Sequence, residues 1–200
     1  MRPKFYRLEN KTRAREELVR LYRDLSGQVC LPTGGQYWTL CGNQTARNSE
    51  IRQFRKLGLM TENQFHGVDR DTRIIATNRK VFPKAHWYVG EWEDVILHPD
   101  FQPNLVYLDT MNVIGLKPAR QIIRDTILQC PPKVLLFINL MQTNPHSGLN
   151  KAPNDEEVLD NLEADLSPAI LRCWEDTGGH FVYSATNATR MATYVLRRIR

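Results

Sequence analysis

QFHGVDRDTRIIATN, residues 64–78, holds a short apolar run that ends in an acid, Asp69, and passes within a few residues into an amphipathic helical pattern. A carboxylate at the end of a buried strand is unfavourable unless a partner compensates it. Two partners are open. Asp69 either caps the following helix, near its positive end, or faces a ligand at the sheet edge. The choice depends on what the flanking segments build.

Working outward, the same alternation of short apolar runs and helical stripes repeats. YWTLCG (37–42) precedes a helix carrying Ile51, Phe54 and Leu57, capped by Asn48 or Ser49 and ended by Gly58. A helix over 71–82 stops before Pro83. AHWYVGE (85–91) leads into a short helical stretch, EWEDVIL. NLVYLDTM (104–111) and PKVLLFINLM (132–141) are almost wholly apolar, as strands covered on both faces are. Between them Ala119, Ile122, Ile123, Thr126 and Ile127 form a helical stripe. Val158, Leu159, Leu162 and Leu166 predict another helix, continued beyond Pro168 by Ile170, Leu171 and Trp174. HFVYSA and MATYVLRRI then read as a hairpin. Residues 11–26 form an amphipathic helix ahead of everything else.

Strands alternating with helices require right-handed crossovers and a parallel sheet. The expected fold is therefore α/β, a three-layer Rossmann-like seven-stranded sheet, mostly parallel with a C-terminal antiparallel hairpin. Strands are expected near 37–42, 64–69, 85–90, 104–109, 133–140, 180–185 and 191–199. The chain reads as a single domain over 1–200, with residues 1–35 as an N-terminal helical extension.

Composition fits a globular chain: 42% of its 200 residues are hydrophobic and 24% charged. The formal charge is +5, and basic residues crowd RPKFYRLENKTRAR at the start and LRRIR at the end. Such ends suit a phosphate-rich partner, here nucleic acid, and equally suit solvated termini. Cys30, Cys41, Cys130 and Cys173 form no C-x-x-C pair, which argues against a zinc site and a disulfide framework. The longest apolar run, VLLFINLM, is too short to span a bilayer. A cytoplasmic, reduced protein without a metal is the expectation.

This order of elements resembles the class I S-adenosylmethionine-dependent methyltransferases over roughly residues 37–200. Three stretches carry the resemblance. GVDRDTRIIATN is similar to the family's second strand, which implies that Asp69 holds the cofactor ribose hydroxyls. WYVGEWEDV resembles the third strand and following turn, which implies that Glu91 lies near the adenine and that Trp92 accompanies it. LVYLDTM resembles the fourth strand, which implies that Asp109 faces the reacting group; the other role open to Asp109 is to cap the turn at Asn112. Asn112, just beyond it, and His146, in the polar loop after the fifth strand, are the residues expected to meet substrate. S-adenosylmethionine is then the cofactor, and methyl transfer proceeds by in-line displacement at the sulfonium methyl, driven mainly by positioning.

The chain departs from that pattern in two places. The first loop, TLCGNQTARNSE, has a single glycine, Gly42, and Thr39 stands where the family's strand has an acid. Gly42 and Asn43 are the expected cofactor contacts, with Gln44 and Thr45 as further polar groups. LDTMN keeps an acid but lacks the Asp-Pro-Pro-aromatic tetrapeptide of enzymes that methylate exocyclic amino groups. The alternative function is a silent Rossmann-like binding module that has lost the cofactor. His66 reads as a packing residue, and so do Trp87 and Cys41.

Overall fold

The computed structural model describes residues 8–109, 117–141, 167–184 and 190–200. Its elements follow the predicted alternation. Helix α1 (Leu8–Ser26) leads to β1 (Tyr37–Leu40), α2 (Glu50–Lys56), β2 (Phe65–Asp69), α3 (Thr72–Val81), β3 (His86–Val89) and α4 (Trp92–Val95). There follow β4 (Leu105–Asp109), α5 (Lys117–Gln129), β5 (Leu135–Met141), α6 (Pro168–Leu171), β6 (Trp174–Ser184) and β7 (Arg190–Arg198).

One seven-stranded sheet runs in the order β3-β2-β1-β4-β5-β7-β6. The first five strands are parallel, and β7 is antiparallel to both β5 and β6. Strand order reverses between β1 and β4, the position at which open α/β sheets hold ligands.

Period-two alternation sends successive strand side chains to opposite layers. Trp38, Val68, Val106, Leu108, Leu136 and Ile138 face α4 and α5. Tyr37, Phe65, Leu105, Tyr107, Leu135 and Phe137 face the other layer, where Leu18 and Tyr22 of α1, Ile51 and Phe54 of α2 and Ile75 of α3 complete the core. Because β4 is apolar toward both layers, it sits at the centre. Gly67 interrupts β2 for a steric reason: an added Cβ would lie 2.7 Å from the Trp87 ring and 2.8 Å from that of Phe65.

Two expectations are corrected. Trp174 belongs to β6, where it pairs with Arg198, and the helix beyond Pro168 ends at Leu171. β6 starts ahead of the predicted 180 because a bulge between Asp176 and His180 carries the strand through Gly178 (φ 65°) and Gly179. The Thr177 hydroxyl donates to Val195 O at 2.8 Å and accepts from Gly179 N–H at 3.1 Å, so the bulge keeps its polar groups paired. Ser49 does occupy the N-cap position of α2, but its side chain makes no cap bond. The helix predicted over 158–166 lies outside the described residues.

Candidate functional site

The carboxyl ends of β1, β2, β3 and β4 open into a crevice of about 810 Å³, within the range of small-molecule sites. Asp69, Glu91, Asp109, Gly42, Asn43 and Trp92 all line it, so six of the predicted site residues converge although they lie at the ends of four separate strands or just beyond them. Asn112 and His146 lie outside the described residues.

Asp69 ends β2 and is half-buried. It is not the cap of the next helix. That role falls to Asp71, whose carboxylate accepts from Arg73 N–H at 2.8 Å. Asp69 Oδ1 accepts from the Asp71 N–H at 2.8 Å, which fixes the carboxylate at the crevice while α3 is capped by another group. Of the two openings posed by the sequence, the helix-cap role is thereby filled elsewhere.

The first loop is held from behind by two buried amides. Asn78 of α3 accepts from Gln44 N–H at 2.8 Å and donates to Gly42 O at 2.8 Å. The Gln44 side chain donates to Cys41 O and accepts from Ile51 N–H at 3.2 Å. Gln44 is thus turned into the protein, with 3% of its surface exposed. Asn43 is exposed, and its Oδ1 accepts from both the N–H and the hydroxyl of Thr45. Gly42 has φ 51°, a left-handed value that favours glycine. A Cβ there would meet no atom within 4 Å, so backbone lies bare on that side. The Cys41 thiol is buried, and burial pushes its pKa up, away from nucleophilic use.

Glu91 is exposed at the start of α4, 4.0 Å from the Arg70 guanidinium. Trp92 is 2% exposed, and its indole N–H donates to Thr126 Oγ1 of α5 at 2.7 Å. Trp92 forms the crevice wall as part of the core, with its polar handle already used. Trp87 is likewise engaged, donating to Phe82 O at 2.9 Å.

Asp109 ends β4, and a residue that sequence reasoning passed over fixes it. Asn139, opposite it on β5, donates to Asp109 Oδ1 at 2.7 Å. Thr193 of β7 in turn donates to Asn139 Oδ1 at 3.0 Å. Asn139 and Thr193 have no exposed surface. The signal was present as the one polar residue inside LLFINLM.

A second missed group lies under β1. Glu50, 5% exposed, lines the crevice and accepts from the Tyr37 hydroxyl. Burial raises its pKa first of all; Arg15, Tyr37 and Thr39 oppose the rise, and Asp109 adds to it. Arg15 of α1 lines the same crevice and donates to Asn48 O and, at 3.0 Å, to Gln53 Oε1. The N-terminal helix therefore contributes to the site.

No family model matches the sequence, and no curated protein is similar to it. Solved structures do match. An S-adenosylmethionine-dependent methyltransferase from Clostridium acetobutylicum superimposes with a TM-score of 0.65 at 9% identity, over 96% of this chain and 92% of that one. The fold is that of the class I methyltransferases. A putative rRNA-methylase from Clostridium thermocellum aligns with a TM-score of 0.57 at 12% identity, covering 92% of this chain and 96% of that one. The plantazolicin methyltransferase in complex with SAH gives 0.56 at 11%, covering 96% and 85%. In this methyltransferase fold, the acid-ended β2, the bare glycine after β1 and the acid-ended β4 of the present chain share one crevice. Among the described residues no cluster of His, Cys, Asp or Glu could hold a metal, and no helix is long and apolar enough to cross a membrane.

Proposed function

We propose that the chain is an S-adenosylmethionine-dependent methyltransferase acting on nucleic acid. The observation that carries the cofactor is Asp69. Its carboxylate ends the strand beside β1 and lines the crevice, held by one backbone bond on Oδ1 and relieved of helix capping by Asp71. That geometry leaves acceptor capacity for a ribose diol. The residues present fit the cofactor: Asp69 for the ribose, Glu91 for the adenine edge, the bare Gly42 backbone and Asn43 for the remainder. When bound, S-adenosylmethionine supplies an electrophilic methyl group on a sulfonium. Asp109, immobilised by Asn139, orients the acceptor or takes its proton, while Trp92 and the β4 end exclude water from one wall.

The nucleic-acid acceptor is supported by the +5 charge and by Arg70, whose side chain is 80% exposed beside the crevice. The basic C-terminus supports it less. Arg197 is committed to Glu175, at 3.2 Å, and to Leu25 O. Arg198 is committed to Cys130 O and Arg200 O. The silent-module alternative draws on the loop with one glycine. The pinning of that loop by Gln44 and Asn78 favours the binding reading, because the loop is preorganised without further glycines.

Calorimetry with S-adenosylmethionine tests the cofactor. Asp69→Asn keeps an acceptor for the Asp71 N–H and removes the charge, so affinity should fall at least about tenfold. Equal binding by parent and variant would remove the ribose role, and no binding by the parent at millimolar cofactor would establish the silent module. For the acceptor, duplex affinity should drop by roughly 0.9 log units per log unit of salt for each phosphate contact.

A further inference from the structure

The net charge of the chain is concentrated in one stretch. Residues 46–84 hold nine Lys and Arg residues against four Asp and Glu, a net +5 that equals the formal charge of the whole protein. Residues 85–109, which carry the chain into the other layer with α4, hold five acids and no Lys or Arg. All nine cations are exposed. The four acids neutralise few of them. Glu50 is 5% exposed and Asp69 lines the crevice, while Glu62 and Asp71 pair with Arg55 at 3.0 Å and Arg73 at 3.1 Å. Among the described ion pairs none takes up Lys56, Lys80 or Lys84.

These cations run from the crevice to the opposite end of the α2–α3 layer. Arg70 lines the crevice just ahead of α3. Arg73 stands in the first turn of α3 and Lys80 in its last, two turns on and so on the same face, with the short exposed residues Ala76 and Thr77 between them. At about 1.5 Å per residue, the ten residues of α3 span about 15 Å. Beyond them the Arg52 guanidinium of α2 lies 4.9 Å above the Phe82 ring, and Arg55 and Lys84 line one depression of about 620 Å³. Helix dipoles account for Arg55, Lys56, Arg79 and Lys80, which occupy last turns. They do not account for Arg52 and Arg73, which stand in first turns where the dipole disfavours a cation, or for Lys84, which lies outside both helices. A row of exposed cations suits a linear polyanion, and a duplex strand offers a phosphate about every 3.4 Å. We propose that this face docks the phosphodiester backbone of the nucleic-acid substrate, along the path from Arg70 at the crevice to Lys84. The acids beside α4 disfavour the same approach from the opposite layer. This rests on the nucleic-acid reading above and adds the place of contact.

The test measures binding of a labelled mixed-sequence DNA duplex across a salt series. Lys56→Gln, Lys80→Gln and Lys84→Gln combined should lower the log–log salt slope by about 0.9 for each of the three that meets a phosphate. A charge-matched control, Lys133→Gln, Arg172→Gln and Arg200→Gln combined, changes exposed cations beside β5, β6 and β7 and should leave the slope as it is. Lys84→Gln alone should lower the slope by about 0.9 and decides the matter if the triple variant does not fold. An unchanged slope in the triple variant overturns the docking face while the nucleic-acid reading stands, and a lowered thermal midpoint with that unchanged slope assigns Lys56 and Lys80 to their helix dipoles. An equal fall in the control overturns the face as well, because binding then follows net charge alone. A parent that binds poly-glutamate as tightly as the duplex assigns the face to an acidic protein and overturns the proposal. A parent that does not bind the duplex at low salt overturns both readings together.

Discussion

Asn139 donates to Asp109 across adjacent parallel strands at 2.7 Å, and the bond joins the end of β4 to the antiparallel part of the sheet through Thr193. The carboxylate is thereby a fixed acceptor, since an amide cannot exchange its donor role without breaking the Thr193 bond. Asn139→Asp replaces the donor with a second carboxylate in the same place. Two carboxylates at this separation retain one proton above the ordinary carboxylate range. The folded variant then binds more protons than its unfolded chain, so its stability is full in acid and falls as pH rises. Thermal melts at pH 5 and pH 8 should separate variant from parent chiefly at pH 8. A constant difference at both would mean that Asp109 and residue 139 do not interact.

His66 gives a second pH dependence of opposite sense. It is 4% exposed, stacked between Trp38 and His86 at 4.5 and 4.4 Å, and its Nδ1 lies 3.2 Å from the Tyr88 hydroxyl. Burial, with a smaller contribution from His86, pushes its pKa down to about 3. A histidine lowered from about 6.5 binds its proton more readily unfolded than folded, so stability is lost as pH falls from about 6.5 toward 3. His66→Phe preserves the stack and removes the proton. Relative to the parent, the variant should be least favourable at pH 7, and the gap should narrow by pH 5 in urea titrations. A gap independent of pH would show that His66 does not titrate in that window.

The fold was legible because its information is local and repetitive. β4 and β5 are apolar toward both layers, and no solvated element of that length reads so. Asp69 was legible for the complementary reason, as the acid that ends an apolar run. The first half of β6 was not, since WEDTGG has turn composition, and only its pairing with β7, Trp174 opposite Arg198, extends the strand predicted from 180 back to 174. Glu50 and Arg15 were missed because a charged residue on an amphipathic helix ordinarily faces water. Nothing in the spacing tells which charge lies under a loop from another element. Gln44 shows the converse: a polar loop residue that the sequence offers to a ligand is spent on Cys41 and Ile51.

Gly67 tests the packing that positions Asp69. Alanine would place a methyl 2.7 Å from one Trp87 ring atom and 2.9 Å from another, with Phe65 at 2.8 Å on the remaining side. Both rings are buried, so neither yields freely. Overpacking of this kind costs about 1–3 kcal/mol. Gly67→Ala should therefore lower the urea midpoint without a change in slope, and Trp87→Leu in the same chain should recover part of the loss. A neutral Gly67→Ala would mean that the β2–β3 contact is looser than this close approach implies.

Glu50→Gln should separate stability from binding. Burial raises the Glu50 pKa, and Asp109 adds to it, while Arg15 and the Tyr37 and Thr39 hydroxyls only partly offset the rise. An acid raised in this way holds its proton in the folded state at pH values where the unfolded chain has released it. Its contribution is thus fully present in acid and is lost as pH rises through the folded value. Glutamine keeps an acceptor for the Tyr37 hydroxyl and cannot ionise. The unliganded variant should match the parent near pH 5 and exceed it at pH 8, by about 2–4 °C in thermal midpoint for each kcal/mol regained in a chain of this size. Because Glu50 lines the crevice, the same variant should lose affinity for S-adenosylhomocysteine, so that excess ligand protects the parent more than the variant in a thermal shift. That pairing of higher intrinsic stability with weaker ligand protection is the signature of a carboxylate retained for its ligand at the expense of the fold. A variant that is less stable than the parent at pH 8 would mean that Glu50 serves the core alone.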